Sequence, residues 1–246
     1  MGFQHGLSGL NASSKNLDVI GHNIANANTT GFKASRAEFA EMVAASMGGG
    51  GGNYGIGVEV AAVAQQFSQG NVNVTGNNLD VAINGNGFFE VTMPDGTIGY
   101  TRDGSFKVDA QGRLVTSGGL PVANGITIPP NATNISISND GAVSATVPGN
   151  TQPQPLGNLA MSGFVNAGGL EPIGQNLFKE SAASGQPQQG TPGTNGLGII
   201  KQGFLESSNV NVVEELVNMI QTQRAYEMNS KAISTTDQML AKLSQL

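Results

Sequence analysis

Cysteine and tryptophan are both absent from this 246-residue chain, and histidine occurs only at His5 and His22. Without cysteine there is no disulfide and no thiolate metal site. Charged side chains make up only 11% of the chain, well under the roughly 25% usual in soluble domains. The net charge is -6 with no cluster of Lys and Arg. Nucleic acid is therefore excluded as a partner, because phosphate binding needs basic side chains to displace counterions. No run approaches the roughly 18 apolar residues of a spanning helix, so no membrane insertion is expected. Met1-Gly2-Phe3-Gln4-His5 lacks the basic start and apolar stretch of a secretory signal. The expectation is a chain that stays in the cytoplasm or leaves by a route that does not read such signals.

Chemistry is as sparse as charge. Asp18 and His22 are four apart and read as a surface polar pair, since a metal would need more ligands nearby. Neither histidine lies where a Ser/His/Asp constellation would form. Asn84-Gly85-Asn86-Gly87 is followed by no Lys-Ser/Thr, so it reads as a turn and not a phosphate loop. Asp95, Asp103, Asp109 and Asp140 each stand at or beside a turn and lack the dense spacing of calcium ligands. No catalytic, metal-binding or cofactor-binding residue is expected, and no cofactor. The chain does not read as an enzyme.

What the chain does have is glycine, 36 residues of it, about twice the usual share of roughly 7%. Low surface charge with many small residues favours association with other copies. At the start, Phe3, Leu7, Leu10, Leu17, Ile20 and Ile24 recur every three or four residues, the mark of one helical face. Asn26 to Gly31 ends that helix with turn formers, and residues 32–47 are expected to hold a further short helix. Gly48, Gly49, Gly50, Gly51 and Gly52 read as a hinge or flexible connector.

From Tyr54 to about Glu206 the pattern is β. Turn signals recur at Asn84-Gly85, Asp95-Gly96, Asp103-Gly104, Gln111-Gly112 and Asp140-Gly141, each suited to hairpins. Residues 183–197 read as a long exposed loop. Asn211 then suits an N-cap with Glu214 three residues on. Val212, Leu216, Met219, Tyr226, Ile233 and Leu240 follow alternate four- and three-residue steps, a heptad-like stripe. The fold class is α+β, with an antiparallel sandwich- or barrel-like body. Long N- and C-terminal helices are expected to pair into a coiled-coil-like inner domain. Expected divisions are 1–47 (N-terminal helical part), 48–70 (connector), 71–206 (β body) and 207–246 (C-terminal helix).

Three blocks carry a resemblance to a known family. Leu17 through Lys33, including Asn23, Asn26, Thr29, Gly31, Phe32 and Lys33, resembles the signature of flagellar rod and hook proteins. Leu79 through Phe89 and Tyr100 through Phe106 are two more such blocks. Gly203 through Leu246 is similar to the C-terminus of the distal-rod branch, whereas residues 1 to about 87 look more hook-like. The resemblance implies an inner tube made by both terminal helices, with the eleven stripe residues from Leu7 to Leu240 as its contacts, and a β shell outside. It further implies a homopolymer exported by the flagellar type III apparatus into the basal body, from periplasm to cell surface. Its implied neighbours are the proximal rod, the hook or hook-junction proteins and the periplasmic and outer-membrane ring bushing.

Two competing readings stand beside a distal-rod subunit. One is a short hook protein, or a hook/rod hybrid, without an outer domain. The other is a secreted β-rich binding module, which 3 Tyr, 10 Phe and no Trp equip poorly for an aromatic-lined site.

Overall fold

The computed structural model describes residues 2–44, 54–149 and 152–243. Gly48 to Gly52 lie outside the described residues. The chain divides into two units, one of Met1–Asn26, Ala34–Gln66 and Val210–Leu246, the other of Ala27–Lys33 and Phe67–Asn209.

The first unit holds helix α1 (Gly2–Ala25), strands β1 (Ser35–Ala44) and β2 (Tyr54–Gln65), and helix α2 (Val212–Leu243). Asn211 caps α2 as its position predicts, its Oδ1 accepting from Val213 N at 3.2 Å and Glu214 N at 3.5 Å. At 32 residues, α2 is about 48 Å long by the 1.5 Å rise per residue. No helix of the described residues is long and apolar enough to cross a membrane.

Residues 35–44 depart from expectation. They form an antiparallel ribbon with β2, from Ser35↔Gln65 to Ala44↔Tyr54, where a short helix was predicted. Ala, Glu and Met favour helix locally, but the partner strand carries Val58-Glu59-Val60 and Val63. Non-local pairing with this β-prone segment overrides the local preference. Of the Gly-rich and extended connector expected over 48–70, Tyr54–Gln65 form the second strand of this ribbon.

The second unit is built of several antiparallel sheets. Its largest has six strands, in the order Glu171–Gly174, Leu177–Lys179, Ile98–Thr101, Phe88–Thr92, Met161–Gly163 and Gln188–Gly190. The last of these falls in the predicted loop 183–197, which is thus partly sheet edge. Asp95-Gly96, Gln111-Gly112 and Asp140-Gly141 each join neighbouring antiparallel strands. Asn84-Gly85 does not, because Val81–Asn84 pairs with Ile199–Gln202 from the far end of the unit.

The four aspartates act alike. Each accepts a hydrogen bond from the backbone N–H two residues on, at 2.9 Å for Thr97, Ser105 and Gln111 and 3.2 Å for Ala142. These are Asx turns. The Thr97 hydroxyl and N–H, both donating to Asp95 Oδ1, hold the Asp95 carboxyl below its ordinary pKa.

Successive side chains on a strand point to opposite faces, and Phe88 and Phe89 use this to serve two cores. Phe89 enters a cluster with Val81, Ile83, Phe106, Leu114 and Ile126. Phe88 enters a second with Tyr100, Leu170 and Phe178. Burial pushes the Tyr100 hydroxyl up to about 12, with Glu180 and Glu90 adding to the shift.

Between strands the packing is tight at Gly104, where an added methyl would lie 1.6 Å from Val81 O. Gly104→Ala is expected to destabilise the second unit by about 1–3 kcal/mol through overpacking. Gly21→Ala, in α1 with open space around it, should instead stabilise its helix by about 0.5–1 kcal/mol. Hydrogen exchange, read unit by unit, checks both signs.

Candidate assembly surface and the buried charge cluster

The segment after α1 runs into the second unit and meets its last strand. Gly31 takes φ +68° and donates its N–H to Glu206 O at 2.8 Å. A side chain there would strike Asp103 N at 2.5 Å. Only glycine satisfies both the dihedral and the space. Asn176 donates to Thr30 O at 3.0 Å, and Phe32 N bonds Thr29 O at 3.3 Å with the Phe32 ring buried.

These bonds bring Lys33 into the interior. Its ammonium donates to Glu206 Oε1 at 2.6 Å and to Ser68 O at 2.8 Å, and the Lys33 and Glu206 side chains are both 0% exposed. Glu206 Oε1 also accepts from Gly70 N at 2.9 Å. Its other oxygen faces Arg102 Nη1 at 3.5 Å. Arg102 donates to Gly85 O at 2.8 Å and lies over the Phe88 ring, 5.4 Å from its centroid. Burial lowers the Lys33 pKa below the usual lysine value, and Glu206 opposes that shift. Burial lowers Arg102 in the same way, again opposed by Glu206. One carboxylate therefore serves two buried cations.

In the first unit, α1 meets α2 through small and polar residues. Asn23 is 1% exposed, donating to Ser35 O at 2.8 Å and Glu215 Oε1 at 3.0 Å and accepting from Ser35 N at 2.8 Å. Asn16 donates to Thr222 Oγ1 at 3.0 Å. Gly6 and Gly9 let the backbone approach Ile233 and Asn229, which an added methyl would meet at 2.7 Å in each case. Asn26 closes the helix by donating to His22 O at 2.9 Å.

The apolar stripes are thereby divided. Ile20 is buried, while Leu10, Leu17, Ile24, Met219 and Ile233 are half-buried. Leu7, Val212, Leu216 and Tyr226 are 40–45% exposed, and Val213, Val217 and Ile220 beside them are more so. Leu240 lies within α2, near its end.

Three family models match the chain. "Flagella basal body rod protein" covers residues 3–33, "Flagellar hook protein FlgE/F/G D1 domain" 82–145, and "Flagellar basal body rod FlgEFG protein C-terminal" 201–246. The flagellar basal-body rod protein FlgG of Buchnera aphidicola subsp. Schizaphis graminum is 52% identical, over 97% of this chain and 96% of that protein. The chain belongs to the flagellar hook and rod protein family. FlgG of Borreliella burgdorferi is 45% identical over the same shares, and the hook protein FlgE of Escherichia coli 28% identical over 100% of both chains.

Set on this family member, the first matching segment ends at Lys33 and the last contains Glu206, so the buried pair joins the two. Sequence reasoning placed Lys33 in the family motif but missed Glu206 as its partner and Arg102 as the second cation on that carboxylate. The available signal was scarcity: the chain has only 11 Lys and Arg and 17 Asp and Glu, and all three residues fall in the blocks that carry the family resemblance. A cleft of about 630 Å³ beside Arg102 is lined by Phe67, Phe88, Phe164 and several carboxamides, with no carboxylate, imidazole or hydroxyl. Nothing in that lining is a nucleophile or general base. Among the described residues no group of three or more acidic or His side chains could hold a metal.

Because Glu206 is shared, its loss should cost more than that of either cation. Lys33→Met is expected to destabilise the second unit by about 3–5 kcal/mol, the usual effect of breaking a buried pair. Glu206→Gln should exceed it, leaving two cations without a counter-charge. Chemical unfolding of the two variants gives the order, and a milder Glu206→Gln would contradict the shared-acceptor geometry.

Proposed function

We propose that this chain is a structural subunit of the flagellar distal rod, polymerising into a hollow helical tube in the basal body. The observation that carries the reading is the outward apolar face of the first unit. Leu7 on α1 and Val212, Leu216, Val217, Ile220 and Tyr226 on α2 are all at least 40% exposed in the single chain. Large apolar side chains held outward in such number call for a partner, and copies of the same chain supply one with the matching face. The relatives named as rod proteins, matched over nearly their whole length, support the rod over the hook. The hook protein needs an alignment of 407 residues against this 246-residue chain.

On this reading, the stripe residues from Leu7 to Leu240 form the inner tube and residues 71–206 the outer body. The tube transmits motor torque and conducts exported subunits, the chain itself having left by the flagellar export apparatus. Its neighbours are the proximal rod, the hook or hook-junction proteins and the surrounding rings. No step in this work calls for catalysis or a cofactor.

Leu216→Asp with Ile220→Asp should abolish polymerisation, because each places a charge in a packed seam. The body should unfold as before, since both residues belong to the other unit. Electron microscopy of concentrated protein checks the outcome, and tubes of normal length from the double variant would overturn the assignment of this face.

A further inference from the structure

The polar contacts between α1 and α2 share one spacing. Gly9, Asn16 and Asn23 follow one another at seven-residue steps along α1, and their contacts Asn229, Thr222 and Glu215 do so in the opposite direction along α2. Seven residues are close to two helical turns, so each set lies nearly along one line of its helix. The two lines run antiparallel and meet rung by rung. Two rungs are hydrogen bonds at 3.0 Å; the third is a close fit of Gly9 on Asn229 Nδ2.

We propose that this polar line sets the register of the helix pair, fixing a single antiparallel alignment and with it the residues that face outward. Apolar contacts are non-directional, and leucine on leucine tolerates a slip of one heptad. The rungs here do not, because they differ in size. A slip of seven residues one way sets Asn229 against Asn16, where there is no glycine gap to receive it. A slip the other way carries Asn23 beyond Val212, where α2 begins, and leaves its buried amide without Glu215. A slip of four residues one way sets Asn16 and Asn23 against Tyr226 and Met219, and a slip of three the other way sets them against Met219 and Val212, with the penalty of an unpaired hydrogen-bonding group. Polar residues at seam positions are known to trade stability for a unique alignment, and the near absence of large apolar side chains along this line fits that trade. The line lies within one chain, so the test below reads it whether or not the chain assembles.

A chain without cysteine lends itself to cross-linking. Ser13 and Ala225 border the same depression between the rungs, so Ser13→Cys with Ala225→Cys reports the observed register. Ser13→Cys with Asn218→Cys, or with Ala232→Cys, reports a slip of one heptad in either direction. In the parent chain, oxidation should join the first pair and leave the other two open. Replacing the central rung, by Asn16→Leu with Thr222→Leu, should raise the slipped products severalfold at the expense of the first. Exchanging the rung, by Asn16→Thr with Thr222→Asn, should restore the parent pattern. A leucine variant that still cross-links only in the observed register would overturn the proposal. So would a leucine variant that cross-links in no register, or an exchanged rung that slips as the leucine pair does.

Discussion

Glu206 stands where four separated stretches of the chain converge: residues 31–33, 68–70, 85–102 and the strand that carries Glu206 itself. Taking three charges out of water is unfavourable unless each finds its partners in good geometry. Such a cluster is therefore close to all-or-none. If Lys33 is in place, the turn at Gly31 must be closed, and if Arg102 is in place, the strand ending at Thr101 must be aligned with Gly85. The second unit is entered at residue 27 and left at residue 209, so the same carboxylate ties its entrance to its exit. The two aromatic and aliphatic cores supply most of the burial, but they do not by themselves specify which segment closes the unit. The charge cluster does.

The two units divide the physical labour differently. In the second, side chains of successive residues enter separate cores, as Phe88 and Phe89 do, and the polar groups gather at turns. In the first, Gly, Asn, Thr and Glu carry much of the contact between helices, while Leu7, Val212, Leu216, Val217, Ile220 and Tyr226 are left exposed. A protein that kept to itself would have done the reverse, since burial of apolar area is the main favourable term in folding. The inverted arrangement makes sense when the exposed face is destined for other copies.

Several of these features were legible in the sequence. The start of α2 could be placed at Asn211 because a cap has a local chemical signature. Asp95-Gly96 and its two counterparts marked hairpins because a turn needs only its own few residues. The family blocks around Lys33, Phe88 and Arg102 stood out as units. The strand at residues 35–44 was hidden because its helix-favouring residues are overruled by a partner that begins at residue 54. The pairing of Val81–Asn84 with Ile199–Gln202 was hidden for the same reason, since no local pattern names a partner more than a hundred residues away. The helical stripes gave the correct elements, α1 and α2. Periodicity marks where the apolar residues are; the close approaches of Gly6 to Ile233 and of Gly9 to Asn229 were hidden, because a missing side chain carries no hydrophobic signal.

The dryness of the Lys33–Glu206 pair has a further consequence, in the medium around the protein. Mobile ions weaken a pair they can surround, such as Arg113 and Asp109 at the surface, where the arginine side chain is 51% exposed. They reach a fully enclosed pair much less, since screening acts through the solvent. The cross-link that closes the second unit should thus hold equally in fresh water and in brine. For a component of the flagellar basal body, such indifference to salt is a property worth having.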